Sequence, residues 1–364
     1  MTRRVVTGSR ALRSALRSAL RSALTLAVAL TTVGFLGSAG MAARSDVQQN
    51  QTPVQRAASA STGELDVLHL QGNVYVLFGA GGNITLSVGP QGILMVNTGE
   101  AAMTDKVLAV LKKLGTGLEP IPEAPPVPIR FIINTDAHAD NTGGNEKVQA
   151  AAVFVRGGEH IMAHEQVLAR MSEPLPGQKT PPRPSEAWPT DTFRGETAKL
   201  GRFFNGEGVQ LIHVPAAHAD GDSLVWFRYS DVIATGDIFS TNGWPVIDLA
   251  QGGSFQGIID ALNLILRTGL SDFRTEGGTM VVPGRGRPGD LADVGLYRDM
   301  LTIVRDRIQD GLKRGMTLEQ VKAAKPTQGW ENAFGSKTGS WTTDMFIEAA
   351  YKSLGQNKAR LGSR

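Results

Sequence analysis

Phe131-Ile132-Ile133-Asn134-Thr135-Asp136-Ala137-His138-Ala139-Asp140-Asn141-Thr142-Gly143-Gly144-Asn145-Glu146-Lys147-Val148 is the stretch whose reading decides the fold. It opens as an apolar strand at residues 131–133 and turns through Asn134-Thr135. Asp136, His138, Asp140 and Asn141 then follow in a row, and a helix is expected to open around Gly143-Gly144-Asn145. Polar groups just past a buried strand project from its carboxyl end, where sheets flanked by helices bind ligands. A loop of Asx turns and helix caps would use the same residue types.

Three other segments have the same design, an apolar strand followed at once by polar side chains. They are Val214 to Asp222 with His218 at their centre, Val232 to Asp237, and Val281 to Gly286 with Arg285. Converging strand ends would bring His138, His218, Asp136, Asp140 and Asp237 around one metal ion, with an open position for water. The chain has no cysteine, so disulfides, thiolate ligands and a cysteine nucleophile are excluded. Imidazoles and carboxylates suit zinc, iron or manganese.

The four segments resemble the metallo-β-lactamase superfamily, whose signature is His-x-His-x-Asp-His followed by a lone His, a bridging Asp and a final His. The matching positions here are Asp136, His138, Asp140, Asn141, His218, Asp237 and Arg285. The flanks match as well: Asn134-Thr135 and Gly143-Gly144-Asn145 around the first motif, Gly221-Asp222-Ser223 after the lone His, and Thr235-Gly236-Asp237 at the bridge. Roughly residues 65–290 carry the resemblance. It implies an α+β fold, a four-layer αββα sandwich with the site at one edge between the sheets. A helical extension is expected at residues 291–364, behind a metallo-β-lactamase-like domain at 64–290.

The departures shape the chemistry that the resemblance implies. Asp136 stands for a His in the first-metal set, leaving Asp136, His138, His218 and Asp237 as metal ligands. In the second-metal set Asn141 and Arg285 each replace a His. Asn is a weak ligand and arginine stays protonated, so one metal is expected, zinc first and iron or manganese as alternatives. Asp140 is read as base or orienter. Arg285 either pairs with Asp140 or Asp237 and receives a substrate oxyanion, or points to solvent from its Pro-Gly-Arg-Gly turn. The expected function is an exported hydrolase whose single metal activates water against an ester, thioester or amide bond, a lactam included. The alternative is an inactive member of the fold that binds a small anionic ligand. Either way the partner is a small molecule.

The rest of the chain sets these segments in order. Residues 1–43 place six arginines and no acid around an apolar run at 24–36, with small residues after it. That is the order of a secretory signal peptide, with an apolar run too short for a comfortable membrane span. A secreted or periplasmic protein without a stable membrane anchor is expected. Arg13, Arg17 and Arg21 fall on one helical stripe, which would also suit a helix lying on a membrane surface. Removing the leader turns the net charge from +3 to −3, which argues against a nucleic-acid partner. Residues 44–63 read as a disordered linker.

Strands are expected at 65–70, 74–78, 84–88, 93–96, 153–156, 209–214, 223–228, 231–235 and 279–282. Helices are expected at 102–114, 160–171, 255–268, 291–313, 317–325 and 342–353. Residues 172–199 read as a long loop over the site. His160 and His164 would share one helical face, in a surface or supporting role. His69 and His213 read as sheet packing, and Asn97 as a hydrogen-bonding support to the site. One of Asp220 and Asp222 would orient His218, or both cap turns. Trp188 and Trp244 suit a lid or pocket wall, while Trp330 and Trp341 suit packing of the helical tail.

Overall fold

Turn residues at Gly72-Asn73 and Pro90-Gln91 close two hairpins, β1 (Asp66–Gln71) with β2 (Val74–Ala80), and β3 (Gly82–Gly89) with β4 (Gly92–Val96). The computed structural model describes residues 64–117, 127–152, 161–174, 176–200, 203–269 and 278–362. The expected leader, the linker, the strand at 153–156 and His160 lie outside the described residues.

A 3-10 turn at Ala101–Met103 leads into α1 (Thr104–Thr116), and then come β5 (Ile129–Ile133), α2 (Ala139–Thr142) and α3 (Asn145–Ala151). Next are β6 (Ile161–His164), α4 (Glu165–Ser172), β7 (Asp191–Phe193), β8 (Thr197–Lys199), β9 (Val209–His213), β10 (Ser223–Phe227) and β11 (Val232–Ala234). The chain continues with α5 (Phe255–Thr268), β12 (Met280–Val282), α6 (Leu291–Lys313), α7 (Leu318–Ala323), α8 (Glu331–Phe334) and α9 (Thr343–Gly362). Seven strands form one sheet in the order β1 to β7, and β12-β11-β10-β9-β8 form the second.

Side-chain alternation along the strands builds the layers. Leu94 and Val96 of β4 and Phe131 and Ile133 of β5 meet Leu211, Val225, Phe227 and Val282 between the two sheets. Ile93 and Met95 face the other way, onto Val107 and Leu111 of α1 and Val148 of α3. Leu224, Ile233 and Val281 on the outer face of the second sheet pack against α5, α6 and α9. This is the expected αββα sandwich with C-terminal helices, a two-residue strand period sorting side chains into separate cores.

Two expectations are corrected. Residues 161–164 are a strand, not part of a helix: Ile132 and Ile133 pair in parallel with Ile161 and Met162. All four residues of β6 are buried, so the segment shows no alternation and cannot be told from a buried helix by period alone. Residues 172–199 are not structureless either. β7 extends the first sheet in parallel with β6, and β8 pairs antiparallel with β9. At three residues each, these strands are too short to leave a periodic signal.

The sheets are tied together at the end where β5, β11 and β12 finish. Ser223 N donates to Thr135 O at 2.9 Å and Asn83 N to Gly284 O at 2.8 Å, each bond crossing from one sheet to the other. Those two bonds fix the distance between strand ends that carry Asp136, Asp237 and Arg285.

Candidate functional site

Asp136 is the hub. Its side chain is buried and folds back as an Asx turn, Oδ1 accepting from His138 N at 2.8 Å. Oδ2 accepts from Thr135 Oγ1 at 2.9 Å and Asn141 Nδ2 at 2.7 Å. Asn97 supports this arrangement from β4's end: its Oδ1 accepts from Thr135 N at 3.0 Å and its Nδ2 donates to Asn141 Oδ1 at 3.1 Å. Thr-Gly-Asp closes the site from the second sheet. Gly236 has φ +52°, and a Cβ there would lie 2.5 Å from Thr135 Oγ1, so only glycine lets Asp237 approach.

Donor atoms of Asp136, His218 and Asp237 all lie within 4.8 Å of one another. His138 lies outside that set of three. Its ring rests against His218, centroids 4.4 Å apart, and its Nε2 faces Asp248 Oδ2 at 3.0 Å and Gln251 Nε2 at 3.2 Å. The other nitrogen, Nδ1, is buried without a hydrogen-bond partner, 3.4 Å from Asp136 Oδ1. His218 is held from behind, Nδ1 meeting Asp222 Oδ1 at 3.3 Å, while its Nε2 stands 4.0 Å from Asp237 Oδ2. Of the two acids expected near His218, Asp222 reaches the ring; Asp220 pairs instead with Arg170 at 2.6 Å.

Arg285 donates to Gly81 O at 3.2 Å and forms an ion pair with Asp140. Asn141 Nδ2 also reaches Asp237 Oδ2 at 3.4 Å. The two positions of the second-metal set that lack a His thus present a guanidinium to Asp140 and an amide to Asp237.

Electrostatics follow from this crowding. Burial pushes the Asp237 carboxyl up, and the neighbouring charges of Asp136 and Asp140 add to it against His218 and Arg285. Burial also works against the Asp136 anion, but the His138 hydrogen bond and the charges of His138 and His218 win and hold it down. Burial disfavours both imidazolium ions, yet the carboxylates prevail: Asp136 and Asp248 raise His138 to about 11, and Asp222 and Asp237 raise His218 to about 9. The carboxylates around the two rings thus outnumber them and favour positive charge between them.

His164 and His213 lie elsewhere, stacked face to face with centroids 3.5 Å apart. Since His164 ends a strand, the helical spacing expected for it with His160 does not apply. Asp248 and Gln251 were not singled out from sequence. The available signal was local: Asp248 caps the 3-10 turn Leu249–Gln251, accepting from Ala250 N and Gln251 N.

A protein-family model described as the metallo-beta-lactamase superfamily matches residues 71–302. No curated protein sequence matches the chain. Among solved structures, the stereoselective inverting sec-alkylsulfatase Pisa1 from Pseudomonas sp. is similar over 82% of this chain and 52% of its own, at 15% identity and a TM-score of 0.56. The chain therefore spans about half the length of that enzyme. The DIM-1 metallo-beta-lactamase (14% identity, TM-score 0.47) is similar over 66% of this chain and 97% of its own. A metallo-beta-lactamase from Pontibacter korlensis (15% identity, TM-score 0.47) is similar over 66% and 99%. At such identities structural likeness speaks to fold alone. Because the family match covers well over half of the chain, and two sheets between helical layers carry it, this protein belongs to the metallo-β-lactamase superfamily.

Proposed function

We propose that the protein is a single-metal hydrolase acting on an ester, thioester or amide bond in an exported compartment. The observation that carries this reading is the set Asp136, His218 and Asp237, whose donor atoms all lie within 4.8 Å of one another. His138 Nδ1, 3.4 Å from Asp136 Oδ1, supplies a fourth candidate donor. Two buried carboxylates and two imidazoles, each imidazole backed by a further acid, are a donor set that fits zinc, iron or manganese.

A divalent cation held there would act as a Lewis acid and make water nucleophilic near neutral pH. The protein's own groups do the rest. Asp248 and Asp222 fix the two rings by their far nitrogens, so that His138 Nδ1 and His218 Nε2 face the site. Of the two roles expected for Asp140, the ion pair with Arg285 favours the orienter. Arg285 is half-exposed, with a side-chain accessibility of 49%, and its remaining N–H groups can receive an oxyanion of the substrate. In the overall reaction the water oxygen bonds to the carbonyl carbon, the C–O, C–S or C–N bond breaks, and the water proton leaves with the departing group.

The second reading, a non-catalytic binder of a small anion, is favoured by one observation: Arg285 and Asn141 already fill hydrogen-bonding positions around Asp140 and Asp237. Elemental mass spectrometry of the purified protein and of His218→Ala separates the two. We expect about one equivalent in the native protein and none in the variant. No metal in either, after addition of zinc, iron or manganese, would leave only the anion binder.

A further inference from the structure

A cavity of about 320 Å³ opens beside Asp237 and Arg285 and runs away from the donor cluster toward the C-terminal segment. That volume is of the order that takes a small organic ligand. Its near wall is the loop after β11, with Ser240 and Trp244, and its far wall is formed by Phe334, Thr338 and Trp341. The far wall lies beyond residue 302, where the family match stops.

The two walls are built against each other. Thr343 Oγ1 accepts from Trp244 Nε1 at 3.2 Å and also meets Ser336 N at 3.1 Å. Trp244 stacks on Phe346 of α9 with ring centroids 4.8 Å apart. Arg285 is joined to the same loop through the backbone, Thr241 N donating to Arg285 O at 3.3 Å. The charged side chains lining the cavity are Arg285 and Asp237, both at its inner end, and the far end is aromatic and hydroxylated.

We propose that the segment from Phe334 to Trp341 and the loop after β11 form a substrate-selecting pocket. It would select an ester or amide that carries an oxyanion for Arg285 and an aromatic, or similarly flat apolar, group for the far wall. This rests on the hydrolase reading for the position of the reacting bond, at the Asp237 end. Recognition divides along the cavity. Two of the five guanidinium N–H donors are engaged by Gly81 and Asp140, leaving others for the anion. At the opposite end the half-buried Phe334 and Trp341 offer apolar and stacking contact, and the segment that carries them is anchored on the buried Trp244 through Thr343.

The test is isothermal titration of the full chain with benzoate, acetate and benzamide. Benzoate carries both features, and each of the others lacks one. We expect benzoate to bind about tenfold more tightly than either, a difference typical of one added charge-assisted or aromatic contact. Thr338→Trp, an exposed position on the cavity lining, is expected to weaken benzoate by about tenfold by filling the space. Should that variant misfold, Ser340→Trp, also exposed and lining, replaces it. Equal binding of the three probes, or benzoate binding unchanged in the plugged variant, would overturn the pocket. Metal content measured on the same samples separates the two ideas: selective benzoate binding without metal upholds the pocket and ends the hydrolase reading, and metal without selective binding ends the pocket alone.

Discussion

Among the described residues two histidine pairs touch ring to ring, and their surroundings drive them in opposite directions. His138 and His218, centroids 4.4 Å apart, face Asp136, Asp222, Asp237 and Asp248, and both are pushed up. His164 and His213, centroids 3.5 Å apart, have Phe193 at the edge of one ring and more distant acids, and both are pushed down. Burial opposes the charged form in all four. What differs is how many carboxylates lie close enough to outweigh it. The acids around the first pair favour positive charge there, a metal by our proposal, whereas the second is built to stay neutral and pack. A histidine pair is thus informative only together with the acids around it.

The contrast is broken most severely at Asp136. Asp136→Ala removes a cluster donor and leaves His138 N without its acceptor, while Thr135 Oγ1 and Asn141 Nδ2 keep second acceptors in Asn97 Oδ1 and Asp237 Oδ2. We expect metal content to fall to background and unfolding free energy to drop by about 1–3 kcal/mol, the cost of one stranded buried donor. Elemental analysis and urea denaturation read the two effects. His164→Phe is the matched control and should keep its metal; if it loses the ion, the two pairs are not separate in function.

A smaller effect is expected one layer out. Asp248→Ala frees the far nitrogen of His138 while leaving every donor of the cluster in place. Loss of such an anchor typically costs about 10–100-fold in metal affinity, measurable by competition with a chromophoric chelator. Burial disfavours an Asp248 anion, but its hydrogen bond to His138, first among the influences on it, holds the carboxyl well below the usual range. Unchanged affinity would remove His138 from the ligand set and leave the metal to Asp136, His218 and Asp237.

How much of this was legible in the sequence depends on the range of each interaction. The strand of Phe131 to Ile133, the helices α5 and α6, and the polar residues after β5, β9 and β11 are local patterns, an apolar run ending in donors or a regular 3.6-residue stripe. The four layers were implied by the resemblance; β4 is buried at every residue, so which of its side chains meets which core is seen only in the packing. Asp248 and Gln251 could not be found in this way, because they reach His138 across about 110 residues from a loop whose only local sign is a cap. Asp222 and Asp220 were equivalent in sequence, and Arg170, 50 residues before Asp220 in the chain, decides between them by claiming Asp220. β6 was hidden for another reason: burial on both faces erased the alternation that marks a strand. The pocket wall from Phe334 to Trp341 carries no motif, and only packing against Trp244 gives it a role.

The gentlest way to sharpen the comparison is to titrate the second pair. Burial and His213 lower His164 to about 4, against the weaker opposing charges of Glu165 and Asp220. His213 is lowered too, chiefly by burial, against the Asp222 carbonyl and the charges of Asp222, Asp220 and Glu165. A folded-state value below the unfolded 6.5 means that the unfolded chain takes up a proton first as pH falls. Stability from His164 is therefore complete above pH 6.5 and is lost progressively down to about pH 4. The shift sets an upper limit of ~3 kcal/mol at 1.36 kcal/mol for each pH unit. We expect about half of that, because the stack is only partly enclosed on the His213 side. Urea denaturation at pH 7 and pH 5 should show the loss, and His164→Phe should flatten it while leaving the separate acid sensitivity of the carboxylate-rich site. His138 and His218, raised instead, gain stability over the same interval, so the loss is read as the difference between the native protein and His164→Phe. The same pH dependence in the two would mean that the stacked rings are not held neutral, and the two pairs would then differ in position alone.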